Sequence, residues 1–227
     1  MNRRKFIQSI ALLPLIVGCA APTIYDRSKH GRLKRVGVIA YPHRIRVLTS
    51  RESNMYSQAG ENDALTGKLI KMLGSRCDRF GALMRGTMTT VLSRHGVNWK
   101  EIAYRDEGGI LNPIYRTPKY KDAGEPLYFE SQISLCYSRI GDAVVPGAGT
   151  FNRLVTPEGD VLWGSAISIG PSFFPQSAIL AMPAARHKDI YEVIEGSPDQ
   201  AAATLMALAA PLGSATGELL LSATDSK

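Results

Sequence analysis

The stretch Leu127-Tyr128-Phe129-Glu130-Ser131-Gln132-Ile133-Ser134-Leu135-Cys136-Tyr137-Ser138-Arg139-Ile140 decides how the rest of the chain is arranged. Leu127, Phe129, Ile133, Leu135 and Tyr137 fall on one face by strict alternation, with Ser131 as the exception. That period of two is the mark of a strand. Downstream, Phe151–Val155 and Val161–Ile169 flank Pro157-Glu158-Gly159-Asp160 and predict a hairpin with a tight turn. Upstream, Val36–Tyr41 reads as a buried strand that Pro42 interrupts, Arg44–Thr49 alternates as a second, and Val97–Ala103 supplies another.

Between these strands lies a helical pattern from Asn62 to His95. Leu69, Leu73, Cys77, Phe80, Met84, Met88 and Val91 recur at spacings of three and four and form one apolar stripe. Gly96 follows as a left-handed stop. Gly67, Gly74 and Gly81 lie nearly on one line of this helix, and three readings stay open: close packing on the sheet, a break near Gly74, or a helix–helix assembly face. After the hairpin, Pro183–Glu195 looks helical. Ser197-Pro198-Asp199-Gln200 is a capping box with proline at the first helical position, opening an Ala-rich helix through Ala210. Gly217–Ala223 reads as a last strand or a frayed tail. The fold class is therefore α/β (α+β), a mixed sheet of about five to six strands with one long helix and C-terminal helices.

Arg153-Leu154-Val155, a turn containing Gly159, then Val161-Leu162-Trp163 forms a phrase of its own. It resembles the paired strands of periplasmic assembly lipoproteins built on a small α/β domain. That group includes the curli-secretion lipoprotein, activators of penicillin-binding proteins and auxiliary lipoproteins of export systems. The resemblance covers residues 33–170 and implies an accessory role in an envelope complex, exercised through protein contacts. Residues 104–125 and the helical tail after 180 depart from it. The segment 104–125 has no clear period, and Tyr115, Arg116 and Tyr120 within it are candidates for a partner-binding tongue or for a solvated excursion.

The N-terminus says where such a domain would live. Arg3, Arg4 and Lys5 form a positive n-region, and an apolar run from Phe6 to Val17 follows, shorter than a membrane span and carrying Pro14. It ends in Leu15-Ile16-Val17-Gly18-Cys19, which resembles the lipobox of bacterial lipoproteins. The resemblance implies that residues 1–18 are a signal peptide, that Gly18 precedes the cleavage site, and that Cys19 is acylated and held in the bilayer. Asn2-Arg3-Arg4-Lys5-Phe6 also looks like a twin-arginine export signal; a generic basic n-region is the alternative. Ala20 after Cys19 leans towards the periplasmic face of the outer membrane, with the inner membrane as the alternative. Residues 19–35 are then a lipidated N-terminus and tether. The basic cluster Arg27, Lys29, Arg32, Lys34 and Arg35 would attract anionic headgroups or be solvated, and residues 36–223 are a single periplasmic α/β domain.

Composition excludes some classes. With 44% hydrophobic and 21% charged residues, the chain is neither disordered nor membrane-embedded beyond its anchor. Its net charge of +7 includes Arg3, Arg4 and Lys5, lost with the signal peptide, and nucleic acid is a poor partner outside the cytosol. An oxidising compartment permits a disulfide between Cys77 and Cys136; free buried thiols are the other reading. His30, His43, His95 and His187 are scattered without metal-ligand spacing, and no phosphate loop, nucleophile elbow or zinc-binding helix is present. No metal, cofactor or catalytic residue is therefore expected. The leading expectation is a non-enzymatic accessory or assembly factor with an envelope protein partner, and with self-association into a homo-oligomer as a further option. An envelope hydrolase acting on cell wall or lipid, or a small-ligand carrier, is the alternative.

Overall fold

The computed structural model describes residues 24–40, 44–48, 59–103, 120, 123–170, 178–179 and 186–225. Strand β4 (Tyr128–Ile140) is the centre of its sheet. Along one edge β4 pairs antiparallel with β5 (Ala143–Val155), from Tyr128↔Val155 to Ile140↔Ala143. The turn between them is Gly141-Asp142, with Gly141 at φ +61°, a conformation that glycine takes without a Cβ penalty. Strand β6 (Val161–Ile169) follows antiparallel to β5. Its turn closes through Thr156 N–H to Asp160 O at 2.9 Å and Gly159 N–H to Thr156 O at 3.0 Å.

Along its other edge β4 takes two parallel partners in succession. Strand β1 (Arg35–Ala40) pairs with residues 128–131 and β2 (Arg44–Leu48) with residues 134–138. Strand β3 (Asn98–Ile102) lies outside β1, parallel to it, and the short β7 (Ala178–Ile179) lies parallel to β6. The sheet is thus mixed as expected, in the order β3-β1-β4-β5-β6-β7 with β2 also on β4. Strand β5 begins at Ala143, earlier than the Phe151 start expected from the sequence. The β5–β6 register ends at Ala148↔Ile169, so Pro146 lies on a part of β5 that β6 does not reach and owes it no N–H.

The helices are α1 (Arg27–His30), α2 (Ala59–Leu73), α3 (Arg76–Arg94), a π-helical turn (Glu192–Gly196), α4 (Pro198–Met206) and α5 (Ala209–Asp225). The single long helix is corrected to two. The chain turns at Gly74, φ +48°, so of the three readings of the glycine line the break is the one found. The expected strand or tail at 217–223 is the second half of α5. Ser197 precedes α4 as predicted, but its side chain makes no capping hydrogen bond.

One face of the sheet carries these helices. Ile133, Leu135 and Tyr137 of β4 pack with Leu65, Leu69, Phe80, Met84, Leu205 and Leu212. Phe129, Val36, Val38, Leu154 and Trp163 pack with Met88, Leu92 and Leu220. Ser131, the exception in the alternation, sits on this face and is satisfied there. It donates to Asn152 Oδ1 (3.0 Å), whose amide donates to Thr150 Oγ1 (2.9 Å), which lies 3.5 Å from Thr216 Oγ1 of α5.

Tyr25 and Leu33 are buried in the same core, so the expected tether is docked from residue 25 onward rather than starting the domain at Val36. Arg27 donates to Asp225 O (2.7 Å), Arg32 pairs with the Asp225 carboxylate (3.1 Å), and Arg35 with Glu125 (3.1 Å). Pro198–Asp225 contains an 18-residue window long and apolar enough to cross a membrane, with mean hydropathy 1.3, yet half of that window is buried inside the fold.

Candidate functional site

Several sequence-predicted residues lie outside the described residues: Arg3, Arg4, Gly18, Cys19, Tyr115 and Arg116. Tyr120 is described, and it is not a surface residue. It is 2% exposed, its ring stacks on Tyr128 at 5.0 Å, and its carbonyl accepts a hydrogen bond from Tyr128 Oη at 2.7 Å. A tongue built on Tyr120 is therefore corrected to a core anchor: the phenyl body gains more from burial beside Ile39 and Ile102 than from solvent.

Both cysteines are free, so of the two readings it is the free thiols that the structure has. The reason is the pleat of β4. Cys77 packs against the core on the helix-covered face, whereas Cys136 alternates with Leu135 and Tyr137 and points to the other side of the sheet. Burial pushes the Cys136 thiol up to about 12, and burial also raises that of Cys77. Neither has the lowered pKa of an activated nucleophile. His187 is taken up by Tyr137, its ring edge-on at 6.0 Å, and by a backbone bridge to Val144. His95 closes α3, with Nδ1 3.0 Å from Val91 O. Among the described residues there is no group of three or more His, Cys, Asp or Glu that could hold a metal ion.

The second face of the sheet is buried as well, and it is polar. Glu130, Gln132, Ser134, Cys136 and Ser138 all point there from β4, and Arg153 of β5 pairs with Glu130 at 2.7 Å. Register explains the ion pair, because Glu130 and Arg153 are direct neighbours across the β4–β5 ladder. Beside them Gly37 leaves room for the Tyr128 ring, which an added Cβ would meet at 2.7 Å.

Among the described residues, a groove lies on the other side of the molecule, along α3. Helix α5 packs unusually close to it, because Gly213 and Gly217 face Met84, Met88 and Val91 without side chains between them. The close approach leaves a groove of about 610 Å³ on the outer side, lined by Arg79, Leu83, Gly86, Thr90, Arg94 and Ser214. A smaller depression of about 330 Å³ continues it towards α4, sharing Arg79 and Leu83 and reaching Asp199 and Met206. Leu83 is 45% exposed there. Arg76 pairs with Asp199 at 2.7 Å, while Arg79 and Arg94 have no ion-pair partner among the described residues. Thr90 returns its hydroxyl to Gly86 O at 2.8 Å, so the floor is smooth. The surface is thus mixed: Leu83, its exposed large apolar side chain, lies between the Arg79 and Arg94 guanidinium groups, which have no ion-pair partner among the described residues. Sequence reading missed it, since only the apolar stripe from Leu69 to Val91 was singled out on this helix. The signal available was Leu83, an apolar residue out of the stripe.

No protein-family model matches the chain, and no curated protein matches it. Among solved structures it is similar to the lipoprotein GNA1162 from Neisseria meningitidis, at 12% identity over 59% of this chain and 81% of that one, with a TM-score of 0.26. It is also similar to the PelC dodecamer from Paraburkholderia phytofirmans, at 9% identity over 86% of this chain and 93% of that one, with a TM-score of 0.28. One of these distant neighbours is a lipoprotein and the other a twelve-chain assembly. At such TM-scores the likeness assigns neither family nor role.

Proposed function

We propose that this protein is a lipoprotein held by an acylated Cys19 at the periplasmic face of the outer membrane, and that it serves an envelope complex as an accessory or assembly factor. It acts by contact rather than by catalysis, and the contact is the α3 groove. The observation that carries this reading is that surface: Leu83 exposed between Arg79 and Arg94, beside a helix pair packed through glycine. Apolar and arginine side chains together are the composition of interface centres. The partner is an envelope protein that offers an apolar side chain flanked by acidic groups. Self-association is the other occupant to be measured.

Crosslinking in living cells, then purification of the tagged protein and mass spectrometry, tests it. The expected outcome is one defined envelope complex with the native chain and its loss with Leu83→Asp or with Arg79→Glu plus Arg94→Glu. All three positions are exposed, so the variants are expected to keep the fold, as circular dichroism and urea unfolding will show. Recovery of the same complex by all variants overturns the groove as the contact. Recovery of this chain alone, lost in the variants, makes the groove a self-association face.

A further inference from the structure

The docked N-terminal segment brings a second set of residues together at one end of the domain. Asn98 N–H donates to Lys34 O at 2.8 Å, which sets the start of β3 beside the start of β1. Trp99 follows, in register with Val36, and its Nε1 donates to Ser93 Oγ at 3.1 Å near the end of α3. Arg27 and Arg32 both hold Asp225 at the end of α5. So α1, the starts of β1 and β3, and the last turns of α3 and α5 share this end. It is also where the chain comes in: Ile24, the first described residue, is 86% exposed. Cys19 lies five residues earlier, which an extended chain spans in at most about 18 Å.

The surface this creates has a definite chemistry. Lys29, Lys34 and Trp99 are exposed on it. Trp99 is 41% exposed, with an apolar ring and a single polar atom, the arrangement tryptophan shows at membrane–water interfaces. Of the acids nearby, Asp225 pairs with Arg32 and Glu125 with Arg35, while Asp26, which accepts from the Ser28 hydroxyl and the Ser28 and Lys29 amides, and Glu101 of β3 stand as exposed carboxylates beside the lysines. Two helix C-termini point this way; Arg94 lies in the last turn of α3, and the His95 ring nitrogen meets Val91 O.

We propose that this end, presenting Ile24, Lys29, Lys34 and Trp99, rests on an anionic bilayer surface and so fixes the orientation of the domain. The orientation rests on the anchored reading above. Lysines within a Debye length of such a surface are attracted to it, and Trp99 seats at the headgroup level. The chain has two tryptophans, and the other, Trp163, is buried, so Trp99 reports the contact.

The test uses the processed protein reconstituted into phosphatidylcholine vesicles with and without phosphatidylglycerol, brominated near the glycerol end of the acyl chains. The expected result is a blue shift and a loss of Trp99 emission, taken as the difference between the native chain and Trp99→Phe. Both effects should be larger with phosphatidylglycerol and shrink with salt or with Lys29→Glu plus Lys34→Glu. Acylated, vesicle-bound protein whose Trp99 emission is the same in brominated and plain vesicles overturns the proposal. Quenching that ignores phosphatidylglycerol overturns its anionic part. If the protein is not acylated and stays in solution, the anchored reading fails separately. Added anionic vesicles then decide this one: a salt-reversible Trp99 shift supports the surface, and an unchanged spectrum overturns it.

Discussion

Cys136 is fully buried on β4, and it stays a thiol at pH values where an exposed cysteine ionises. Its ordinary value is 9.0 and its folded value about 12. The unfolded chain therefore loses this proton first as pH rises. The stabilisation is fully present below pH 9 and is lost between there and 12, at about 1.4 kcal/mol per pH unit. Tyr137, raised by burial and with its hydroxyl donating to Ala201 O, adds to the same fall above its ordinary 10.0. Urea unfolding from pH 8 upward is expected to show this decline, and Cys136→Ala should flatten it between pH 9 and 10 and lessen its slope above 10. An equal slope in both proteins would mean that Cys136 is not shielded. The neighbouring Glu130–Arg153 pair obeys the same electrostatics. Desolvation takes back most of what the pair contributes, but deleting one partner strands the other charge.

At the scale of elements, strands with strict alternation were legible and helix boundaries less so. The face of β4 that meets the helices is the one its period picks out, because alternation survives any tertiary context. The break at Gly74 and the helical nature of 217–223 were not. Glycine is ambiguous in sequence, since it ends one helix through positive φ and lets another pack closely. Gly213 shows the second use: a Cβ there would meet Met84 O at 2.2 Å. The obstacle is backbone, so α3 and α5 must separate. Gly213→Ala is expected to cost about 3 kcal/mol in urea unfolding, although alanine is the better helix former by about 1 kcal/mol. A neutral result would mean that the helix pair slides without loss.

For the whole molecule, the decisive prediction concerns the anchor. The N-terminal peptide of the processed protein is expected to begin at Cys19 and to carry acyl chains, detected by mass spectrometry and by incorporation of labelled palmitate; Cys19→Ser should lose the label. Multiple acyl chains make such attachment effectively permanent, since each buried methylene adds about 0.8 kcal/mol. The candidate site was far less legible than the fold. Tyr120 looked like a contact residue and is core, while Leu83 and Trp99 carried no motif. The sequence by itself determined the mixed α/β architecture, because periods of two and of three to four record which side chains escape water along a strand or a helix. Only the tertiary structure decided that Cys77 and Cys136 lie on opposite sides of the sheet, that residues 25–35 dock on the core, and that Leu83 and Trp99 remain exposed. Those depend on which distant segments meet, and no local period encodes that.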